Sequence, residues 1–248
     1  MDTRTWADLK LKSTPQMFMA NANLPWVQNR QYRHPGWHYF ENVQTSPEYE
    51  KDVKVRFGAE KFEKPIYMNL YIPGFENREY TKVKAPKTFE APLEYENQPT
   101  PTLVIRKNGE AWENPFVVVY EPFDGKSDNN SILSVEKITQ DGIYKGVKVV
   151  SNISGQKLVQ YIITQFQNEK FEDKNLGISF SGSFAVITCD EKGTIQNLYM
   201  GEGQELRKGD VLIKSENENT GAFLDLISKK PMFVSNKKEK IYFEILKK

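Results

Sequence analysis

Residues 112–123 read Trp112-Glu113-Asn114-Pro115-Phe116-Val117-Val118-Val119-Tyr120-Glu121-Pro122-Phe123, and this stretch decides the fold class. Four apolar residues, Phe116 to Val119, run without a break, and three of them are β-branched. Such a run between Pro115 and Pro122 predicts a buried strand over residues 116–121, closed at both ends by residues that cannot extend a ladder. A polar turn over 124–130 follows. A second strand is then predicted from Ile132, Leu133, Val135 and Ile138.

The same grammar spreads in both directions. Val53, Val55 and Phe57 alternate with Asp52, Lys54 and Arg56, the pattern of a half-buried strand. Residues 66–72 place Ile66, Met68, Leu70 and Ile72 on one face and Tyr67, Asn69 and Tyr71 on the other, before Pro73-Gly74 turns the chain. Residues 85–101 carry four prolines and no periodicity, which predicts a loop crossing between sheets. Further strands are expected over 102–106, 143–153, 158–164, 178–188 and 195–200, and 168–174 reads as a charged loop. Beyond 200 the expected strands shorten to 205–206, 211–214, 222–226, 232–235 and 240–245, punctuated by glycines. No segment of ten or more residues keeps a helical period, and no fixed-period repeat is present. The expectation is an all-β chain. A large antiparallel β-sandwich, super-sandwich-like, spans residues 1–192, and a small C-terminal β-unit spans residues 193–248.

Composition narrows the function classes. The chain has 248 residues, with 34 Lys plus Arg against 33 Asp plus Glu, and no basic stripe, so a nucleic-acid partner is not expected. No apolar run approaches ~18 residues, so no membrane-spanning helix is expected. The first residues, Met1-Asp2-Thr3-Arg4-Thr5-Trp6, carry no export signal. The single cysteine, Cys189, excludes an internal disulfide and reads as a buried, inert thiol within the strand pattern of 184–189.

The densest group of chemistry-bearing residues lies between Trp26 and Phe40. Trp26, Arg30, Arg33, Trp37 and Tyr39 combine aromatic faces, which suit sugar C–H surfaces, with guanidinium groups, which suit carboxylates or sulfates. They are the candidate substrate-binding residues. The competing reading makes Trp37, Tyr39 and Phe40 core or edge residues of a first strand. Both can hold, because alternate residues on a strand face opposite ways. His34 and His38 are the only imidazoles and the weak candidates for catalysis. Pro35-Gly36 between them disfavours a helix that would pair them on a metal, and no metal or cofactor is expected. Glu121 reads as structural, bonded to backbone N–H groups or to an arginine such as Arg106. Asp124, Asp128, Asn129 and Asn130 match no calcium-loop spacing. Gly201-Glu202-Gly203 precedes a strand rather than a helix, so it is not a dinucleotide fingerprint.

Several of these strings, taken together, resemble a known family. They are Thr102-Leu103-Val104-Ile105-Arg106, Gly109-Glu110-Ala111-Trp112, Pro115 through Pro122, Ser134-Val135-Glu136, Pro35-Gly36-Trp37-His38-Tyr39-Phe40 and Leu198 through Gly203. They resemble the β-sandwich region of heparinase II/III-like polysaccharide lyases. The resemblance spans most of residues 30–213 and implies only the C-terminal β part, without the helical toroid that begins those enzymes. It implies an acidic, uronic-acid-containing polysaccharide as partner, cleaved by β-elimination. A Tyr or His base removes the C5 proton while cationic or amide groups neutralise the uronate carboxylate. Because most of that constellation belongs to the toroid, little or no activity is expected of this chain alone. The resemblance also implies a periplasmic or extracellular full-length enzyme, so Met1 is expected to be an artificial start or to lie inside a longer gene. The alternatives are a non-catalytic carbohydrate-binding or scaffold sandwich, and a split enzyme whose toroid is a separate polypeptide.

Overall fold

The computed structural model describes residues 12–13, 40–59, 63–85, 100–107, 109–125, 131–166, 169–217, 219–228, 230–236 and 240–246. Among the described residues the regular elements are all strands, seventeen of them. They fall into two compact units: residues 1–112 with 122–125, and residues 113–121 with 126–248.

In the first unit, β1 (Lys12–Ser13), β2 (Glu41–Thr45), β5 (Arg78–Ala85) and β6 (Thr100–Lys107) form one sheet in the order β1-β2-β5-β6. A second sheet holds β3 (Val53–Ala59), β4 (Ile66–Ile72) and β7 (Val119–Asp124, of which Pro122–Asp124 belong to this unit), with β4 in the middle. Strand β4 has the predicted bounds, and residues of both its faces are buried. Tyr67, Asn69 and Tyr71 are buried as well as Leu70 and Ile72, while Ile66 is 51% exposed. The buried Arg56 explains part of this. Its Nε donates to Asn69 Oδ1 at 2.8 Å, and its guanidinium lies over the Tyr67 and Phe123 rings, which stack on each other at 5.3 Å.

The apolar run that reads as a buried strand over 116–121 is shifted in the structure. Residues 116–118 carry no ladder, Phe116 is 53% exposed, and β7 runs instead from Val119 through Pro122 to Asp124. A proline inside a strand is tolerated where its missing N–H would not face a partner, so Pro122 does not close the strand.

The second unit is one ten-stranded antiparallel sheet folded over on itself. Its strands are β8 (Ile132–Gln140), β9 (Ile143–Ile153), β10 (Gln156–Thr164), β11 (Lys170–Asp173), β12 (Ile178–Asp190), β13 (Ile195–Lys208), β14 (Val211–Ser215), β15 (Thr220–Asp225), β16 (Met232–Ser235) and β17 (Ile241–Ile245). The long hairpin β12–β13 serves both layers. Its end near the turn carries the order β16-β15-β13-β12-β10-β9-β8. Its other end pairs β11 on one side and β14, then β17, on the other. Between the two ends the register slips at Ser181, Gly182 and Phe184, and bulges of this kind bend strands from one layer into the next.

Both layers feed a single core. Ile163, Ala185, Ile187, Leu198, Met200 and Leu224 come from one, and Phe171, Ile178, Phe180, Leu206 and Ile213 from the other. Phe233 of β16 meets Phe243 of β17 at 5.2 Å and closes one side. The expected break after residue 192 falls in the β12–β13 turn, and the strands beyond it join the same sheet. Strand β11, read from the sequence as a charged loop, forms because Phe171 alone needs to point inward. It is fully buried, while Lys170 and Glu172 face solvent.

Candidate functional site

Trp26, Arg30, Arg33, His34, Trp37, His38 and Tyr39 lie outside the described residues. The first described residue after them, Phe40, packs with Val104 against the buried pair Val43 and Val83. Glu121 is where its structural reading puts it. Its Oε1 accepts from Ser131 N at 2.6 Å, Ser131 Oγ at 2.7 Å and Ile132 N at 2.8 Å. The arginine suggested for it goes elsewhere: Arg106 Nε stands 3.9 Å from Glu79. Gly201 through Gly203 is a bulged stretch of β13 and opens no helix. Among the described residues, no three His, Cys, Asp or Glu gather as metal ligands.

Two assemblies in the second unit carry recognisable chemistry. The first is the outer face of the larger layer. Residues paired across neighbouring strands point to the same side of a sheet, and Leu198, Met200, Ala222 and Leu224 point into the core. Their neighbours therefore point out. The register aligns Val234, Phe223, Tyr199, Val186 and Ile162 in one row across five strands. Tyr199 is 40% exposed and Val234 57% exposed. Phe184 meets Tyr199 edge-on at 6.1 Å. Two residues along each strand runs a polar row, Asp225, Asn197, Thr188 and Gln160, aligned by the same registers. Gln160 Nε2 donates to Thr188 Oγ1 at 3.5 Å, and Asp225 Oδ1 accepts from Ile227 N at 2.9 Å. A sheet face that is solvated is ordinarily polar, so an apolar row with aromatic members running beside a polar one marks a contact surface.

The second assembly lies on the inner side, where β8 and β9 extend the larger layer. Glu136, Lys148 and Tyr161 stand side by side across β8, β9 and β10. Lys148 Nζ donates to Glu136 Oε2 at 3.1 Å. Lys208 Nζ lies 4.8 Å from the centre of the Tyr161 ring and donates to the Leu176 carbonyl. Burial raises the Tyr161 phenol above its ordinary value, with the neighbouring Cys189 adding to it and Lys148 opposing it. The phenol is therefore held neutral. Burial also raises the Cys189 thiol, against the pull of Lys208, and Cys189 is buried as the sequence implied.

Sequence reading missed the outer row, although its signal was present. In Asn197-Leu198-Tyr199-Met200 and Gly221-Ala222-Phe223-Leu224 the strand period of two puts Tyr199 and Phe223 opposite the core residues. Both sides of each strand are apolar, so only the pairing register shows which side faces solvent.

Residues 132–226, from the start of β8 through β15, match the family model of the endo-acting ulvan lyase C-terminal domain. An endo-acting ulvan lyase of Formosa agariphila is 35% identical over 187 residues, which cover 75% of this chain and 22% of that protein. The chain thus spans about a fifth of the length of the curated relative it matches. No solved structure matches it. The likeness is to the C-terminal domain of a polysaccharide lyase. The matched segment includes the Ser134–Glu136 and Leu198–Gly203 strings and begins after the Gly109–Trp112 and Pro115–Pro122 strings.

Proposed function

We propose that this chain is the β-sandwich part of a longer polysaccharide lyase that cleaves ulvan, or a closely related acidic glycan, by β-elimination. The observation that carries the reading is the 35% identity over 187 residues to an endo-acting ulvan lyase. The chain contributes a glycan-contacting wall. A further part of the same or a partner polypeptide, a helical toroid as in heparinase II/III-like enzymes, supplies the base and most of the groups that neutralise the uronate. The Trp26, Arg30, Arg33, Trp37 and Tyr39 cluster belongs to that wall as an anion-binding and stacking edge, with His34 and His38 nearest to any catalytic role. Such an enzyme works outside the cytoplasm, where its polymeric substrate is.

The test is to extend the reading frame upstream, express the whole product and incubate it with ulvan. Release of products that absorb in the ultraviolet through an unsaturated uronate end is the expected result. A whole product that binds ulvan without releasing unsaturated ends overturns lyase function and leaves a carbohydrate-binding sandwich in its place.

A further inference from the structure

We propose that the outer face of β10, β12, β13 and β15 is a docking strip for a chain of pyranose rings, laid across the strands. Tyr199 and Phe223 are its stacking platform, and Asn197 and Asp225 are its hydroxyl-reading edge. This deepens the reading given above and rests on it for the identity of the ligand as a polysaccharide.

Val234, Phe223, Tyr199, Val186 and Ile162 are direct cross-strand partners, so the apolar row advances one strand at a time, roughly 4.7–4.9 Å per step. The polar row advances with the same step at a constant two-residue offset. A stretched pyranose chain has the same two-sided character at a closely similar repeat. Its ring C–H faces are apolar and its hydroxyls project from the rim. Aromatic and aliphatic faces under the rings, with amide, hydroxyl and carboxylate groups beside them, are complementary to both sides at once. A protein domain packed on this face would favour an apolar centre with a polar rim. Here polar and apolar rows instead run in parallel across β10, β12, β13 and β15, with Thr188 buried within the polar row, which ends at Gln160 because its partners on β9 and β8 are the buried Val149 and Val135.

Charge indicates what the strip reads. Its polar row holds one ionisable group, Asp225, and no Lys or Arg. The strip therefore binds ring faces and hydroxyls rather than the acidic groups of the glycan, and it operates as a holding surface distinct from the place where a uronate is neutralised. It follows that binding through this face barely weakens with added salt, unlike binding through cations. The matched family segment, residues 132–226, contains all four strands.

The experiment is calorimetric titration of the purified chain with ulvan oligosaccharides, at low and high salt. The variants are Tyr199→Ala, Phe223→Ala and Val234→Glu, with Lys148→Ala as the control in the inner-side cluster. Val234 lies on the edge strand β16 and is 57% exposed, so Val234→Glu keeps the test valid where an aromatic truncation disturbs folding. Loss of tenfold or more in affinity for Tyr199→Ala, a clear loss for Val234→Glu, little change for Lys148→Ala and little salt dependence support the strip. Unchanged affinity in Tyr199→Ala and Val234→Glu overturns it while leaving the lyase reading intact. So does binding that collapses with salt or with Lys148→Ala. No binding by the unsubstituted chain also overturns it. If the same substitutions then weaken association with the rest of the lyase, the face is a domain contact instead.

Discussion

Gly182 and Glu202 approach so closely that a Cβ on Gly182 would stand 2.3 Å from the Glu202 carbonyl oxygen. The reverse holds across the same pair of strands, where a Cβ on Gly203 would stand 2.7 Å from the Ser181 carbonyl oxygen. These two glycines face each other in the β12–β13 register at the point where the hairpin passes from one layer to the other. Backbone on both sides leaves nothing flexible to move aside. Gly182→Ala is therefore expected to lower stability by about 2–3 kcal/mol, read from the midpoint of urea unfolding. An unchanged midpoint would show that the corner is looser than its contacts.

Glu121 anchors Ser131 and Ile132 at the entry to β8 by accepting three hydrogen bonds on one oxygen. Removing the carboxylate leaves the Ser131 and Ile132 N–H groups short of an acceptor. Glu121→Ala is expected to cost on the order of 3 kcal/mol, and Glu121→Gln, which keeps an acceptor, about 1 kcal/mol. Parallel unfolding curves for the two variants check the order. Equal losses would mean that the side chain acts by packing.

Tyr80 is fully buried, and its hydroxyl has no hydrogen-bond partner among the described residues. Burial, the largest influence, pushes its phenol up from 10.0 to about 12, against the opposing charge of Arg78. The unfolded chain then loses this proton before the folded one does. The associated stability is complete below pH 10 and is lost as pH rises toward about 12. Tyr80→Phe should flatten that part of the stability profile without loss at neutral pH, because it removes a buried hydroxyl that no described residue pairs. Thermal melts between neutral and strongly alkaline pH provide the comparison.

Cys189 is 1% exposed and its thiol is raised by burial. Its labelling by a thiol reagent should follow the opening of the β10–β12–β13 core and accelerate with denaturant as global unfolding does. Fast labelling in the native state would show local opening at that end of the hairpin.

How much of this was legible from residues alone depends on the element. The bounds of β4, β9 and β16 coincide with the sequence reading because turn residues fix both ends. Asp141 and Gly142, for instance, both adopt positive φ, at 53° and 82°, before β9. Strands β2, β5 and β11 escaped notice because charged and polar residues dominate their outward positions. In β5 only Tyr80 and Val83 are buried apolar residues. The 116–119 run reads as a buried strand because it is apolar, yet apolarity is not burial, and Phe116 is largely in solvent. The bend at Gly182 and Gly203 and the row through Tyr199 are properties of long-range register, and a single strand's sequence holds neither. The Trp26–Tyr39 cluster was visible as chemistry, but its geometry lies outside the described residues.

In the proposed division of labour, this sandwich contacts an acidic polysaccharide while the catalytic base resides elsewhere. The most direct measurement is to incubate the purified chain alone with ulvan, following binding by titration and elimination by the ultraviolet absorbance of unsaturated uronate. The account predicts binding without turnover. Sustained release of unsaturated ends by this chain alone would contradict it and place a complete catalytic site within these 248 residues.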